Sequence, residues 1–312
     1  MTKGLLAGII AFAVTAFVTG LLIPYLKRIR GSSVREDVPE RHQQKAGTPT
    51  LGGLSFLVSL SLVPLVFAMT FKTLWLAAAV IAFGTLGFVD DWAKLKRQKG
   101  LRTPSKLCAQ ILLTVVLLLM AQVAGWQLEP AGLGTGLLFP TLLILATVNG
   151  VNIADGLDGL AAGLVAVASV AAAVSANLRG AAESLIFSLI LTGTCGGFLV
   201  WNRYPAKVMM GDVGSLALGA GLATAGLLAD GGLSLLLAGT VFWIEQATVA
   251  LQVGYFKWTK KRFGAGRRLF PMTPIHHTFE LWGWDEPKIV YLFWLIGILG
   301  SLLSITMVAV TV

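Results

Sequence analysis

Residues 73–91 read TLWLAAAVIAFGTLGFVDD, an apolar run that closes on the acid pair Asp90-Asp91 and leads into Trp92-Ala93-Lys94-Leu95-Lys96-Arg97. Its length approaches the roughly 20 residues that a membrane-spanning helix needs. Working outward, nine more apolar stretches cover 4–26, 51–69, 105–124, 134–150, 157–176, 183–201, 213–229, 233–256 and 288–310, some of them shorter or interrupted. If the stretches alternate in direction, their connections fall on two faces. One face receives 27–50, 92–104, 151–156, 202–212 and 257–287, and with them nearly every Lys and Arg; the other keeps only Lys3, Lys72 and Arg179. Positive residues stay cytoplasmic. The expectation is an all-α, polytopic integral membrane protein with about ten transmembrane helices and both termini extracytoplasmic. Its chemistry is expected in a cleft on the cytoplasmic face.

Composition agrees: 56% of the chain is hydrophobic, 12% is charged, and mean hydropathy is +0.80. That excludes a soluble domain with a large core. The longest connection, 257–287, is too short for a separate domain, so residues 1–312 are expected to form a single transmembrane catalytic domain. The first apolar stretch is too long for a signal-peptide core and precedes its positive cluster, so it is expected to remain as an anchor. Cys108 and Cys195 fall inside spans and read as small buried apolar residues, with neither disulfide nor metal-type spacing. The net charge of +9 follows from the positive-inside pattern, and it also attracts anionic lipids or nucleotides.

Polar residues at the cytoplasmic ends carry the chemistry. Asp90 and Asp91 stand at the end of a span, where the helix dipole disfavours carboxylates unless cations compensate. Lys94 lies one turn on. Adjacent helix positions point about 100° apart, so the two acids cannot do one identical job. The glycines and asparagines of Asn149-Gly150-Val151-Asn152-Ile153-Ala154-Asp155-Gly156-Leu157-Asp158-Gly159 predict a turn. Asp155 and Asp158, three apart at a helix start, can share a face, although aspartate is also a preferred N-cap. Asn149 and Asn152 add amides at the same depth. Asp212, between Gly211 and Gly214, again reads as an N-cap or as a ligand, and the glycines admit close approach. Together the acids suit Mg²⁺, which uses one or two carboxylates plus phosphates and water. Lys45, beside Gly47 and Thr48, suits either a phosphate or lipid headgroups. His276-His277 without cysteine is a weak zinc signal, and a structural or interfacial pair is the plainer reading. Trp282 and Trp284 read as an interfacial anchor. Glu245, inside a span, is either functional or a partner of Gln246 or Gln252. Residues 277–284 suggest a short helix at the membrane surface, between prolines 271, 274 and 287.

Three stretches, Lys45-Ala46-Gly47-Thr48-Pro49-Thr50-Leu51-Gly52-Gly53, Asn152-Ile153-Ala154-Asp155-Gly156-Leu157-Asp158-Gly159-Leu160 and Gly211-Asp212-Val213-Gly214-Ser215-Leu216, occur in this order around Asp90-Asp91. With them the chain resembles the polyprenyl-phosphate N-acetylhexosamine-1-phosphate transferase superfamily over its whole length. Pro271-Met272-Thr273-Pro274-Ile275-His276-His277, followed by Phe279-Glu280-Leu281, resembles the branch that does not use unmodified amino-sugar nucleotides. The resemblance implies that UDP-N-acetylmuramoyl-pentapeptide and undecaprenyl phosphate give a lipid-linked intermediate and UMP, with Mg²⁺, in peptidoglycan synthesis at the bacterial cytoplasmic membrane. It implies a homodimer among membrane lipids and no nucleic-acid partner. It also implies a catalytic set of Asp90, Asp91, Asp155, His276 and His277, with Asp212 as the metal ligand. Lys45, Thr50, Lys94, Lys106, Asn149, Asn152, Asp158, Met209 and Gln252 would bind substrate. Two positions depart from the pattern: Thr278 stands where many members have a third histidine, and Met209 where many have phenylalanine. An ion-coupled transporter also places carboxylates and glycines in spans, but here the acids sit at helix ends and no inverted repeat is visible. A UDP-N-acetylglucosamine donor is the other alternative, and the stretch from Pro271 to Leu281 argues against it.

Overall fold

The computed structural model describes residues 1–29, 47–128 and 134–311, so Lys45 lies outside the described residues. Among these the regular structure is helical: α1 (Thr2–Leu26), α2 (Leu54–Phe67), α3 (Phe71–Arg97), α4 (Thr103–Val123), α5 (Leu138–Ala154), α6 (Leu160–Leu178), α7 (Ala182–Asn202), α8 (Gly211–Asp230), α9 (Leu233–Ala238), α10 (Thr240–Phe263), α11 (Ile275–Leu281) and α12 (Glu286–Thr311). An apolar chain away from water must satisfy its backbone internally, and the helix does so within each segment. Seven helices (α1, α3, α4, α6, α7, α8 and α12) are long and apolar enough to cross a membrane, and α2 and α5 are shorter apolar helices.

Two readings of the apolar pattern need correction. The stretch 233–256 is not one helix. It breaks at Gly239 between α9 and α10, where a Cβ would come within 2.7 Å of both the Leu235 carbonyl and the Trp243 ring. Asp90 and Asp91 do not end their helix: α3 continues to Arg97 and stops at Gln98, which is left-handed at φ 55°. Hydropathy marks where apolar side chains end, not where backbone hydrogen bonding ends. The last turn, with Lys94, Lys96 and Arg97, complements the helix dipole.

Helix α8 is the buried axis, enclosed chiefly by α3, α5 and α6, while α1 lies along α7. Small residues permit these approaches: a Cβ on Gly193 would collide with the Gly8 carbonyl, and one on Gly87 with the Asp212 carbonyl. Outward faces stay apolar, as at Ile9 and Phe17 of α1, Leu112 and Val123 of α4, and Leu299 and Leu303 of α12; Cys195 is buried as expected, but Cys108 is exposed on α4. Such continuous exposed apolar surface is what helices present to lipid.

The connections gather at two ends. At one, the Met209 N–H donates to the Pro49 carbonyl (2.8 Å), Leu101 N–H to Asp90 (2.6 Å), and Ala206 N–H to Asp158 (2.8 Å). At the other, Ser175 donates to Asp230 (2.7 Å), Ser304 to the Ser234 carbonyl (2.8 Å), and Arg179 to Thr311 (3.0 Å). All the acids and amides of the candidate site lie at the first end.

Candidate active site

Four helices meet in one polar cluster. Helix α3 brings Asp90, Asp91 and Lys94, α4 brings Lys106 from its first turn, α5 brings Asn152, and α8 brings Asp212 and Ser215. The Lys94 ammonium lies 3.0 Å from Asp90 Oδ2, 3.3 Å from Asp91 Oδ1 and 3.0 Å from Asp212 Oδ1. Lys106 Nζ reaches Asp90 Oδ2 at 3.3 Å and also contacts Asp212 Oδ2. Asn152 Nδ2 donates to Asp212 Oδ1 (3.2 Å) and to Ser215 Oγ (2.8 Å). Three carboxylates therefore share two ammonium groups, which leaves one formal negative charge. Only cations close by make such crowding tolerable.

The two neighbouring acids are used differently. Asp90 is 3% exposed; Oδ1 accepts the Leu101 N–H, and Oδ2 faces both lysines. Asp91 is 4% exposed; Oδ2 accepts the Val213 N–H at 3.0 Å, tying α3 to the start of α8. Gly211 makes room for that tie. Its φ is +70°, and a Cβ would stand 2.5 Å from Asp91 Oδ2 and 2.8 Å from Thr50 Oγ1. Asp212 is not the N-cap of α8; Met210 is, and Asp212 points its carboxylate at Lys94, Lys106 and Asn152. The open wall consists of Asp212 and Lys106, each with a side chain 16% exposed, and Lys94 at 45%.

Mg²⁺ can be judged against this donor set. Among the described residues, no three His, Cys, Asp or Glu side chains form a metal cage. Mg²⁺ does not need one, because one or two carboxylates suffice when phosphates and water complete its shell. Asp212 supplies an accessible carboxylate, and the convergence of three acids on the Lys94 ammonium shows that this point favours a hard cation. The residues fit the ion.

A second group lies against the turn after α5. His276 is fully buried; its Nδ1 lies 3.0 Å from Glu245 Oε1, while Glu245 Oε2 accepts the Ile275 N–H at 2.9 Å. Glu245 thus ties α10 to the start of α11, and not to Gln246 or Gln252 as one reading expected. His276 Nε2 is buried with no hydrogen-bond partner and abuts Gly156, where a Cβ would collide with it. The His276 and His277 rings are 4.2 Å apart, and His277 Nδ1 lies 2.6 Å from Glu280 Oε2. Thr278 closes the preceding turn, donating to the Met272 carbonyl (2.6 Å) and accepting the Met272 N–H (3.2 Å).

The other expected residues are dispersed. Asn149 pairs with Gln110, its Nδ2 donating to Gln110 Oε1 at 2.9 Å, beside the cluster. Asp155 and Asp158 do not share a helix start: Asp155 is the C-cap of α5 and Gly159 the N-cap of α6. The turn between those helices carries both acids. Asp158 accepts from Ala206, and its own N–H donates to Glu286 at 2.6 Å, so it braces the connections around it. Gln252 accepts the N–H groups of Leu269 and Phe270, each at 2.9 Å, and so shapes the loop before α11. Met209 joins Pro49 and Gly52 through its backbone. Gln110 and Ser215 were missed. Their signals were a polar residue one turn after Lys106 in an apolar run, and a hydroxyl three places after Asp212.

A model described as glycosyl transferase family 4 matches residues 73–230, which contain the whole acid–lysine cluster. The chain is 40% identical over 313 residues to the phospho-N-acetylmuramoyl-pentapeptide-transferase of Anoxybacillus flavithermus, covering 95% of each chain. It is 41% identical over 317 residues to that of a Geobacillus species, covering 96% of each. It is 41% identical over 319 residues to that of Heliobacterium modesticaldum, covering 98% of each.

Proposed function

Because the chain belongs to glycosyl transferase family 4, among its phospho-N-acetylmuramoyl-pentapeptide-transferases, it is an integral membrane transferase of peptidoglycan synthesis, and we propose the substrates, orientation and residue roles that follow. The donor is UDP-N-acetylmuramoyl-pentapeptide and the acceptor undecaprenyl phosphate. The cluster end faces the cytoplasm of the bacterial inner membrane, with ten spans, both termini outside, and a homodimer as the assembly. The observation that carries the reading is the convergence of Asp90, Asp91 and Asp212 on Lys94 and Lys106 at one end of the helix bundle.

The obstacle in this reaction is bringing two anions together. A phosphate oxygen of the lipid attacks the sugar-bearing phosphorus of the donor. The bond to the bridging oxygen breaks, and UMP leaves with that electron pair. Lys94 and Lys106 offset the charge of the phosphates, and fixed cations in a partly dry site act strongly on developing charge. Asp90, held by Leu101 and both lysines, accepts the remaining proton of the lipid phosphate. Asp91 fixes the start of α8 and so the position of Asp212. Asp212, steadied by Asn152, would hold Mg²⁺, which when bound would supply Lewis-acid neutralisation of the diphosphate. His276 and His277, beside the 155–159 turn, meet the sugar-nucleotide end.

Release of UMP by the purified protein, with undecaprenyl phosphate and either UDP-N-acetylmuramoyl-pentapeptide or UDP-N-acetylglucosamine, tests this. Turnover with the first donor alone is expected, and His277→Ala should raise its KM without changing that for the lipid. Preference for the second donor would overturn the donor assignment.

A further inference from the structure

A cavity of about 430 Å³, bordered by Asp158 and Gly159 of the 155–159 turn, opens between the end of α7 and the start of α12. Asp90, Asp91 and Asp212 are not among its lining residues. Among the described residues, Arg203 and Lys207 line it against one carboxylate, the buried Asp158, whose Oδ2 accepts the Ala206 N–H. The described wall is therefore net positive. The rest is apolar and aromatic, including Trp201, Trp294 and Val290.

This wall is fixed in place. Trp201 Nε1 donates to the Ala16 carbonyl at 2.8 Å, and Lys207 Nζ sits 5.3 Å from the Trp201 ring centre. Trp294 Nε1 donates to the Leu160 carbonyl at 3.3 Å, and its ring fills the space where a Gly163 Cβ would be. Outward, the cavity meets exposed Tyr291 and Val200, which continue the apolar faces of α12 and α7. A charged head can thus meet Arg203 and Lys207 while an apolar chain follows the helices. Basic pockets between helices at the membrane boundary suit anionic headgroups, and indole rings suit that depth.

We propose that this cavity binds an anionic phospholipid of the surrounding bilayer, with its phosphodiester at Arg203 and Lys207 and its acyl chains against Val200, Tyr291 and Trp294. The inference rests on the proposed membrane disposition and not on the roles assigned to Asp212 or Asp90. A bound headgroup braces the 202–210 connection, which reaches Asp158 through Ala206 and the Thr50 segment through Met209.

Binding to the delipidated full chain in detergent, followed by native mass spectrometry and thermal shift, tests the proposal with phosphatidylglycerol, phosphatidylcholine, undecaprenyl phosphate and inorganic phosphate. Phosphatidylglycerol should bind and raise Tm, while phosphatidylcholine and inorganic phosphate should not. Each cation near an anionic headgroup is worth about fivefold, so Arg203→Ala with Lys207→Ala should weaken binding roughly twenty- to thirtyfold. Arg203→Gln alone, a milder change at an exposed residue, should weaken it about fivefold. Lys260→Ala with Lys261→Ala, at exposed positions on α10, should leave it unchanged. Asp212→Asn should also leave it unchanged, which separates this site from the catalytic reading. Equal binding of phosphatidylcholine, equal binding by the Arg203 variants, an equal loss in the α10 variant, an equal response to inorganic phosphate, or displacement by equimolar undecaprenyl phosphate would each overturn the assignment.

Discussion

Asp90 turns Oδ2 toward two lysines, whereas Asp91 gives Oδ2 to the backbone of Val213. The two substitutions should therefore report different losses. Asp90→Asn is expected to lower turnover by roughly 10²–10⁴-fold, the range of a proton-transfer role, with donor binding little changed. Asp91→Ala leaves a buried N–H unpaired and should cost about 1–3 kcal/mol of stability. Turnover, donor binding and thermal unfolding of both variants check this; normal turnover in Asp90→Asn beside a dead but folded Asp91→Ala would invert the assignment. The inequality was legible in sequence, because adjacent helix positions diverge. The identity of each partner was not, because Leu101 and Val213 reach the acids through tertiary packing.

At the scale of elements, α11 is placed by one carboxylate on α10. Glu245 holds the Ile275 N–H and the His276 ring, and Gln252 holds the loop before them. Glu245→Ala should release α11, raise the KM for the donor more than that for the lipid, and cost about 1–3 kcal/mol. Kinetic constants equal to those of the parent, at equal folded fraction, would show that the tether has no functional part. The apolar stretches revealed most helices because membrane-length hydropathy is a local property. The extension of α3 to Arg97 and the break at Gly239 were hidden, since hydrogen bonding and a steric notch set them. Asp155 and Asp158 looked like a pair for the same reason: their spacing is local, while Ala206 and Glu286, which claim Asp158, are far along the chain.

Across the whole molecule, the acids of the candidate site and the connections around them occupy one end, and Thr311 meets Arg179 at the other. With the basic connections cytoplasmic, an engineered cysteine at Gly180, exposed between α6 and α7 with open space around it, should react with an impermeant reagent added to intact cells, and one near Gly264 should not. The reverse pattern would invert the orientation and put the cluster on the wrong side for a cytosolic nucleotide. Charge asymmetry is what this orientation rests on, because the positive-inside rule acts on composition and needs no tertiary contact.

The central claim is that Asp212 serves as a metal ligand in a phosphoryl-transfer site built on Lys94 and Lys106. Asp212→Asn keeps the size of the side chain and a carbonyl acceptor while removing its charge. The decisive measurement is UMP release as a function of Mg²⁺ concentration for the parent and this variant, at matched folded fraction. The account predicts saturable Mg²⁺-dependent release by the parent and near-complete loss in Asp212→Asn across the titration. Parent-like release by the variant at ordinary Mg²⁺ would contradict it.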